Sequence, residues 1–128
     1  MVKKRYLDGK KKGLFTYDYK NDLLLFKMKG REYDNSLEFD DFVLDIDTKG
    51  FITGMRVFDA SKIFGLPRLS LRNVKGFEFN AQVEDKVIKI QLRFKSVLRN
   101  RELQGGENFT REAFKSSIED SKVICTVA

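Results

Sequence analysis

The chain has 128 residues, a length that suits one domain able to bury about two-thirds of the surface its unfolded form exposes. It carries twelve Phe, four Tyr and no Trp, and its apolar residues fall in short runs, so no membrane-spanning helix is expected. Its formal charge is +6 and it holds no histidine, which removes the commonest general base, the commonest metal ligand and every triad built on imidazole.

The charge is unevenly spread. Residues 1–13 carry six basic and one acidic side chain, residues 14–60 six and ten, and residues 61–128 thirteen and eight. This pattern predicts a flexible basic arm over residues 1–13 and a single β-rich domain over 14–128. Met1-Val2-Lys3-Lys4-Arg5 has the charge of a signal-peptide start, but the polar stretch Asp8 to Gly13 follows it, so export is not expected. The single cysteine, Cys125, sits in the apolar run Val123 to Val127 and reads as a small buried hydrophobe in a reduced, cytoplasmic setting. Charged residues at 34% fit a heat-adapted source.

Leu14 to Asp18 and Leu23 to Met28 predict a hairpin closed by Tyr19-Lys20-Asn21-Asp22. Leu37 to Ile46 and Phe51 to Phe58 predict a second one around Asp47-Thr48-Lys49-Gly50, where Asp47 accepts from following amides and Gly50 takes the left-handed conformation. Asp59 to Gly65 supplies a capping Asp, helix formers and a terminating Gly for one or two helical turns. The strongest periodicity follows. Phe77, Phe79, Ala81 and Val83 alternate with polar residues, as do Ile88, Ile90, Leu92 and Phe94. With the turn at Glu84 to Val87, Val83 pairs with Ile88, Phe79 with Leu92, Phe77 with Phe94 and Glu78 with Arg93. Leu98 to Asn108 reads as a charged loop ending at Gly105-Gly106, Arg111 to Ile118 as a short helix behind a Thr110 cap, and Lys122 to Val127 as a closing strand. The fold class is mainly β, with α+β as the alternative: antiparallel hairpins forming a small sandwich or rolled sheet with one or two short helices.

Between Tyr17 and Lys62 the order Tyr17-Asp18, Asp22, Val43, Asp45, Asp47, Gly50, Gly54 and Asp59-Ala60-Ser61 resembles the small prokaryotic family catalogued as domain of unknown function 2283. The resemblance implies a compact β-hairpin domain and carries no activity or catalytic residue with it.

Asp45 to Gly50 begins like a calcium-binding loop, but Lys49 and Arg56 stand where oxygen ligands belong, so a turn is expected. Asp45 and Asp47 on one strand face, with Asp40 or Asp41 nearby, form a solvated acidic edge in preference to a weak cation site. Lys75-Gly76-Phe77-Glu78-Phe79 is similar to the aromatic strand of RNA-recognition motifs, yet Phe77 and Phe79 share the face filled by Leu92 and Phe94 and are expected in the core. No catalytic residue, metal ligand or cofactor is assigned. The first expectation is a non-enzymatic interaction or structural module that self-associates, as a dimer, through sheet edges; Leu23 to Phe26, apolar on both faces, is a candidate contact. The alternative is a nucleic-acid-binding accessory protein using Lys3, Lys4, Arg5, Lys10, Lys11, Lys12, Lys89, Arg93, Lys95, Arg99 and Arg101. A small carboxylate- or metal-dependent enzyme is the third reading.

Overall fold

The computed structural model describes residues 5–127. Nine strands form one sheet in the order β3-β4-β5-β2-β1-β9-β6-β7-β8, antiparallel everywhere except between β1 and β9. The strands are β1 (Arg5–Asp18), β2 (Leu23–Met28), β3 (Tyr33–Glu38), β4 (Phe42–Asp47), β5 (Ile52–Val57), β6 (Val74–Glu84), β7 (Val87–Leu98), β8 (Arg101–Glu112) and β9 (Ser121–Val127). Two short helices, α1 (Ala60–Phe64) and α2 (Arg68–Leu71), lie in the connection from β5 to β6. The sheet curls into a half-barrel. Its two ends meet: Phe42 of β4 and Phe109 of β8 have ring centroids 4.8 Å apart, and Arg111 of β8 reaches Asp41 at 3.3 Å.

The hairpin of β6 and β7 follows its periodicity. Phe77, Phe79, Ala81 and Val83 face Ile88, Ile90, Leu92 and Phe94 on the buried side, and each such side chain contributes roughly 1.5–3 kcal/mol of transfer free energy before its ordering cost. Val83 pairs with Ile88, Phe79 with Leu92 and Glu78 with Arg93, as the alternation requires. Beyond Glu78 the register shifts, because Gly76 (φ 65°) adds a bulge residue to β6. Phe77 therefore has no direct partner in Phe94, but the two rings still stack at 6.0 Å. Phe26 from β2 stacks on both Phe77 and Phe79, tying the first half of the chain to the second.

Four expectations are corrected. The first strand begins at Arg5 rather than Leu14, because β9 offers a parallel partner along Arg5 to Gly9. The lysine run Lys10 to Lys12 is accommodated by a bulge at Lys11 (φ 63°), whose N–H donates to Thr126 Oγ1; Lys3 and Lys4 lie outside the described residues. Leu37 to Ile46 is not one strand but the hairpin of β3 and β4, turned at Phe39 to Asp41, where the Phe39 ring packs back on Phe42 at 4.9 Å. Leu98 to Asn108 is not a loop and Arg111 to Ile118 is not a helix. A two-residue turn at Arg99-Asn100, both at positive φ, starts the long strand β8. Gly105 sits inside that strand for packing: a Cβ there would lie 2.5 Å from the Phe94 ring and 3.0 Å from Leu66. Phe109 is buried against Phe42 rather than acting as a helix staple.

Candidate functional site

The residues that carry the family resemblance come together in three places; in two a carboxylate holds backbone, and in the third it holds side chains of the neighbouring strands. In the first, Asp22 is 1% exposed at a positive-φ turn position between β1 and β2. Its carboxylate accepts from Tyr17 Oη at 2.6 Å, Ser61 N at 3.0 Å and Ser61 Oγ at 2.6 Å, with Arg68 Nε 3.7 Å away. Asp59 was expected to cap α1, but it lies at φ 52° and makes no side-chain cap bond. Asp22 caps the helix from across the fold instead, while Gly65 ends it in the left-handed conformation as expected. Burial raises the Asp22 pKa, yet the hydrogen bonds from Ser61 and Tyr17 outweigh it and leave the carboxyl below its ordinary value. Burial and the same carboxylate drive the Tyr17 phenol upward.

In the second, Asp47 is 2% exposed and closes the β4–β5 turn: Oδ1 accepts from Lys49 N and Phe51 N, both at 2.9 Å, and Oδ2 takes the Arg31 guanidinium at 2.7 Å. Gly50 has φ 84°, the left-handed conformation the turn needs. In the third, Asp45 accepts from Ser36 Oγ at 2.9 Å and Arg56 at 3.0 Å, and Gly54 faces it because a Cβ would meet the Asp45 carboxylate at 3.1 Å. Asp45 and Asp47, both on β4, thus serve different cations, Arg56 on β5 and Arg31 in the β2–β3 connection. Among the described residues no three His, Cys, Asp or Glu side chains gather as a metal site.

The described basic residues named from sequence differ in their surroundings. Arg5 turns toward the buried side, where it donates to Lys49 O, lies 4.5 Å above the Phe51 ring and faces Glu119 at 3.6 Å. Arg93 is opposite Glu78, and Lys95 lies 3.6 Å from Glu102. Lys10, Lys11, Lys12, Arg99 and Arg101 are exposed, with Lys11 at a bulge and Arg99 in the β7–β8 turn.

A different surface is assembled by the register. On the outer face, Tyr6 of β1, Lys122 of β9, Gln82 of β6, Lys89 of β7 and Thr110 of β8 lie side by side across five strands. The next row places Asp8 of β1, Ile124, Asn80, Gln91 and Asn108 in line. Between them runs a shallow trough of about 510 Å³ with no carboxylate in its lining. Asn80 Nδ2 donates to Gln91 Oε1 at 3.3 Å, and Tyr6 is 56% exposed at the edge. A legible signal existed: among the wet positions of the β6–β7 hairpin, Asn80, Gln82 and Gln91 are amides set between charged residues.

A curled, mostly antiparallel half-barrel whose motif carboxylates staple two turns and a set of neighbouring strands defines a small β-rich protein of unknown function. The chain belongs to the family described as protein of unknown function (DUF2283), whose model matches residues 14–61, the segment that contains all three staples. A Methanosarcina mazei protein provisionally named as a hypoxanthine phosphoribosyltransferase is 30% identical over 92 residues, covering 72% of this chain and 75% of that protein. An uncharacterized Methanocaldococcus jannaschii protein is 30% identical over 88 residues, covering 68% of this chain and 76% of its own. No solved structure matches the chain. No described helix is long and apolar enough to cross a membrane.

Proposed function

We propose that the protein is a non-enzymatic interaction module that self-associates through an open sheet edge and works in a reduced, cytoplasmic setting. The observation that carries the reading is the commitment of Asp22, Asp45 and Asp47 to protein donors, which leaves the polar outer face and the edges β3 and β8 as the surfaces on offer. The name of the Methanosarcina relative suggests phosphoribosyl transfer. Holding a pyrophosphate calls for a cradle of backbone amides at a helix start, whereas α1 and α2 have five and four residues and no such loop before them.

Charge steers the self-association. Extending an antiparallel sheet sets residues of the same face opposite each other. Pairing β8 with its copy about Gly106 opposes Arg101 to Arg111, and pairing about Glu107 opposes Glu107 to itself and Glu102 to Glu112. Like charges guard that edge. On the shorter β3, pairing about Ser36 opposes Asp34 to Glu38, but pairing about Asn35 opposes Tyr33, 62% exposed, to Leu37 and Asp34 to Ser36, so this edge has an unguarded register within the strand. Sedimentation velocity over a concentration series tests this: a concentration-dependent dimer is expected, weakened by Asn35→Lys. A strict monomer at the highest concentration overturns the self-association, and a dimer indifferent to Asn35→Lys overturns β3 as its contact edge.

A further inference from the structure

We infer that the outer-face trough across β9, β6, β7 and β8 is a binding site for single-stranded nucleic acid, with Lys89 and Lys122 taking backbone phosphates, Tyr6 stacking on a base and the amide row reading base edges. The inference rests on the protein being a binding module and not on self-association.

Charge complementarity is the first argument. Lys122 and Lys89 flank Gln82 two strands apart, roughly 10 Å between backbones; the lining of the trough contains no carboxylate, the acids Asp8 and Glu84 standing at its margins beside Ile124 and Gln82. That is a cationic pair bracketing a neutral, hydrogen-bonding floor, which suits an extended anion carrying polar groups between its charges. The floor is the second argument. Asn80 gives one amide hydrogen to Gln91 Oε1, which leaves the Asn80 carbonyl oxygen and the Gln91 amide hydrogens directed at no described partner. Asn108 and Thr110 lie next to Gln91 and Lys89 on the last strand. Amide side chains offer a donor and an acceptor together, the pattern that pairs with an unpaired base edge. The third argument is Tyr6, in register with Lys122 and more than half exposed, a π-face at the end of the cationic row.

Single strands are favoured over duplex by shape. Short amides on a sheet surface cannot enter a groove of A-form RNA, whereas a single strand splays its bases onto such a surface. An acidic polysaccharide would satisfy the lysines and hydrogen-bond the amides through its hydroxyls, but it offers Tyr6 an aliphatic ring face in place of an aromatic base.

The test is fluorescence anisotropy of the full chain with labelled short single-stranded RNA and DNA and with a duplex of the same sequence. Single strands bind and the duplex binds more weakly, with a log–log salt slope of about −1.4 that falls to about −0.7 in Lys89→Gln or Lys122→Gln. Tyr6→Ala weakens binding at least about fivefold and Tyr6→Phe restores it. Lys62→Gln on α1 leaves it unchanged. No binding at low salt, equal duplex binding, a polysaccharide bound with the same variant pattern, or equal loss in Lys62→Gln overturns the inference. Loss of binding with concentration-dependent association intact would refute this site and leave the module reading standing; a strict monomer that still binds single strands would refute only the self-association.

Discussion

Replacing Asp22 removes the side chain that joins the first hairpin to α1. Asp22→Ala deletes the acceptor for three short hydrogen bonds and leaves Ser61 N, Ser61 Oγ and Tyr17 Oη without it at a position where the carboxylate is 1% exposed. Hydrogen bonds to a charged group contribute about 1.5–3 kcal/mol each, but water reaches part of the vacated site and Tyr17 is only half-buried, so a loss of about 3–4 kcal/mol is expected. Asp22→Asn keeps the shape and two acceptor lone pairs, and costs about 1–2 kcal/mol. Urea unfolding followed by circular dichroism measures both, and a double-mutant cycle with Ser61→Ala should return a coupling of about 1–3 kcal/mol. The pH dependence has a definite sign. The folded carboxyl titrates below its ordinary value of 3.8, so its contribution is complete above that pH and is lost as the pH falls through the lower folded value. The wild type therefore loses more stability below about pH 4 than Asp22→Asn does. An Asp22→Ala cost under about 1 kcal/mol, or the same acid slope in both proteins, would refute the stapling role.

Other consequences follow from the packing. Gly105→Ala pushes a methyl into the Phe94 ring and Leu66 and should destabilise by about 1–3 kcal/mol, read from the urea midpoint. Arg111→Ala removes the Asp41 ion pair and the cation over Phe42, both partly solvated, for about 1–2 kcal/mol; hydrogen exchange should quicken at the C-terminal end of β8 while β6 and β7 stay protected. Cys125 is buried, and burial followed by the nearby Asp8 charge pushes its thiol up to about 11, so maleimide labelling at neutral pH should proceed only as fast as the protein opens.

Local pattern carried the parts of the fold whose partners are close in sequence. The β6–β7 hairpin, the Asp47 turn and the left-handed Gly65 were legible because two-residue alternation and turn chemistry act over a few residues. The parallel pairing of β1 with β9 was not, since it joins residues more than a hundred positions apart and no local propensity reports it. Gly105-Gly106 signalled a loop while serving as space for Phe94. α2 was missed as well, a four-residue turn behind Pro67 with too few positions to show a period. Composition counts Arg5 among the basic residues but cannot show that it turns inward to Lys49 and Phe51. The trough needed the register. Only the order of β9, β6, β7 and β8 sets Lys122, Gln82 and Lys89 in one row.

The claim at the centre of this account is a division of labour: the motif carboxylates hold turns, and contact with a partner falls to the outer face. Side-chain amide and backbone NMR during titration with a single-stranded oligonucleotide tests it most directly. Perturbations are predicted at Tyr6, Gln82, Lys89, Gln91 and Lys122, with Asp22, Asp45 and Asp47 still. Perturbations centred on those three aspartates, with the outer rows silent, would contradict it.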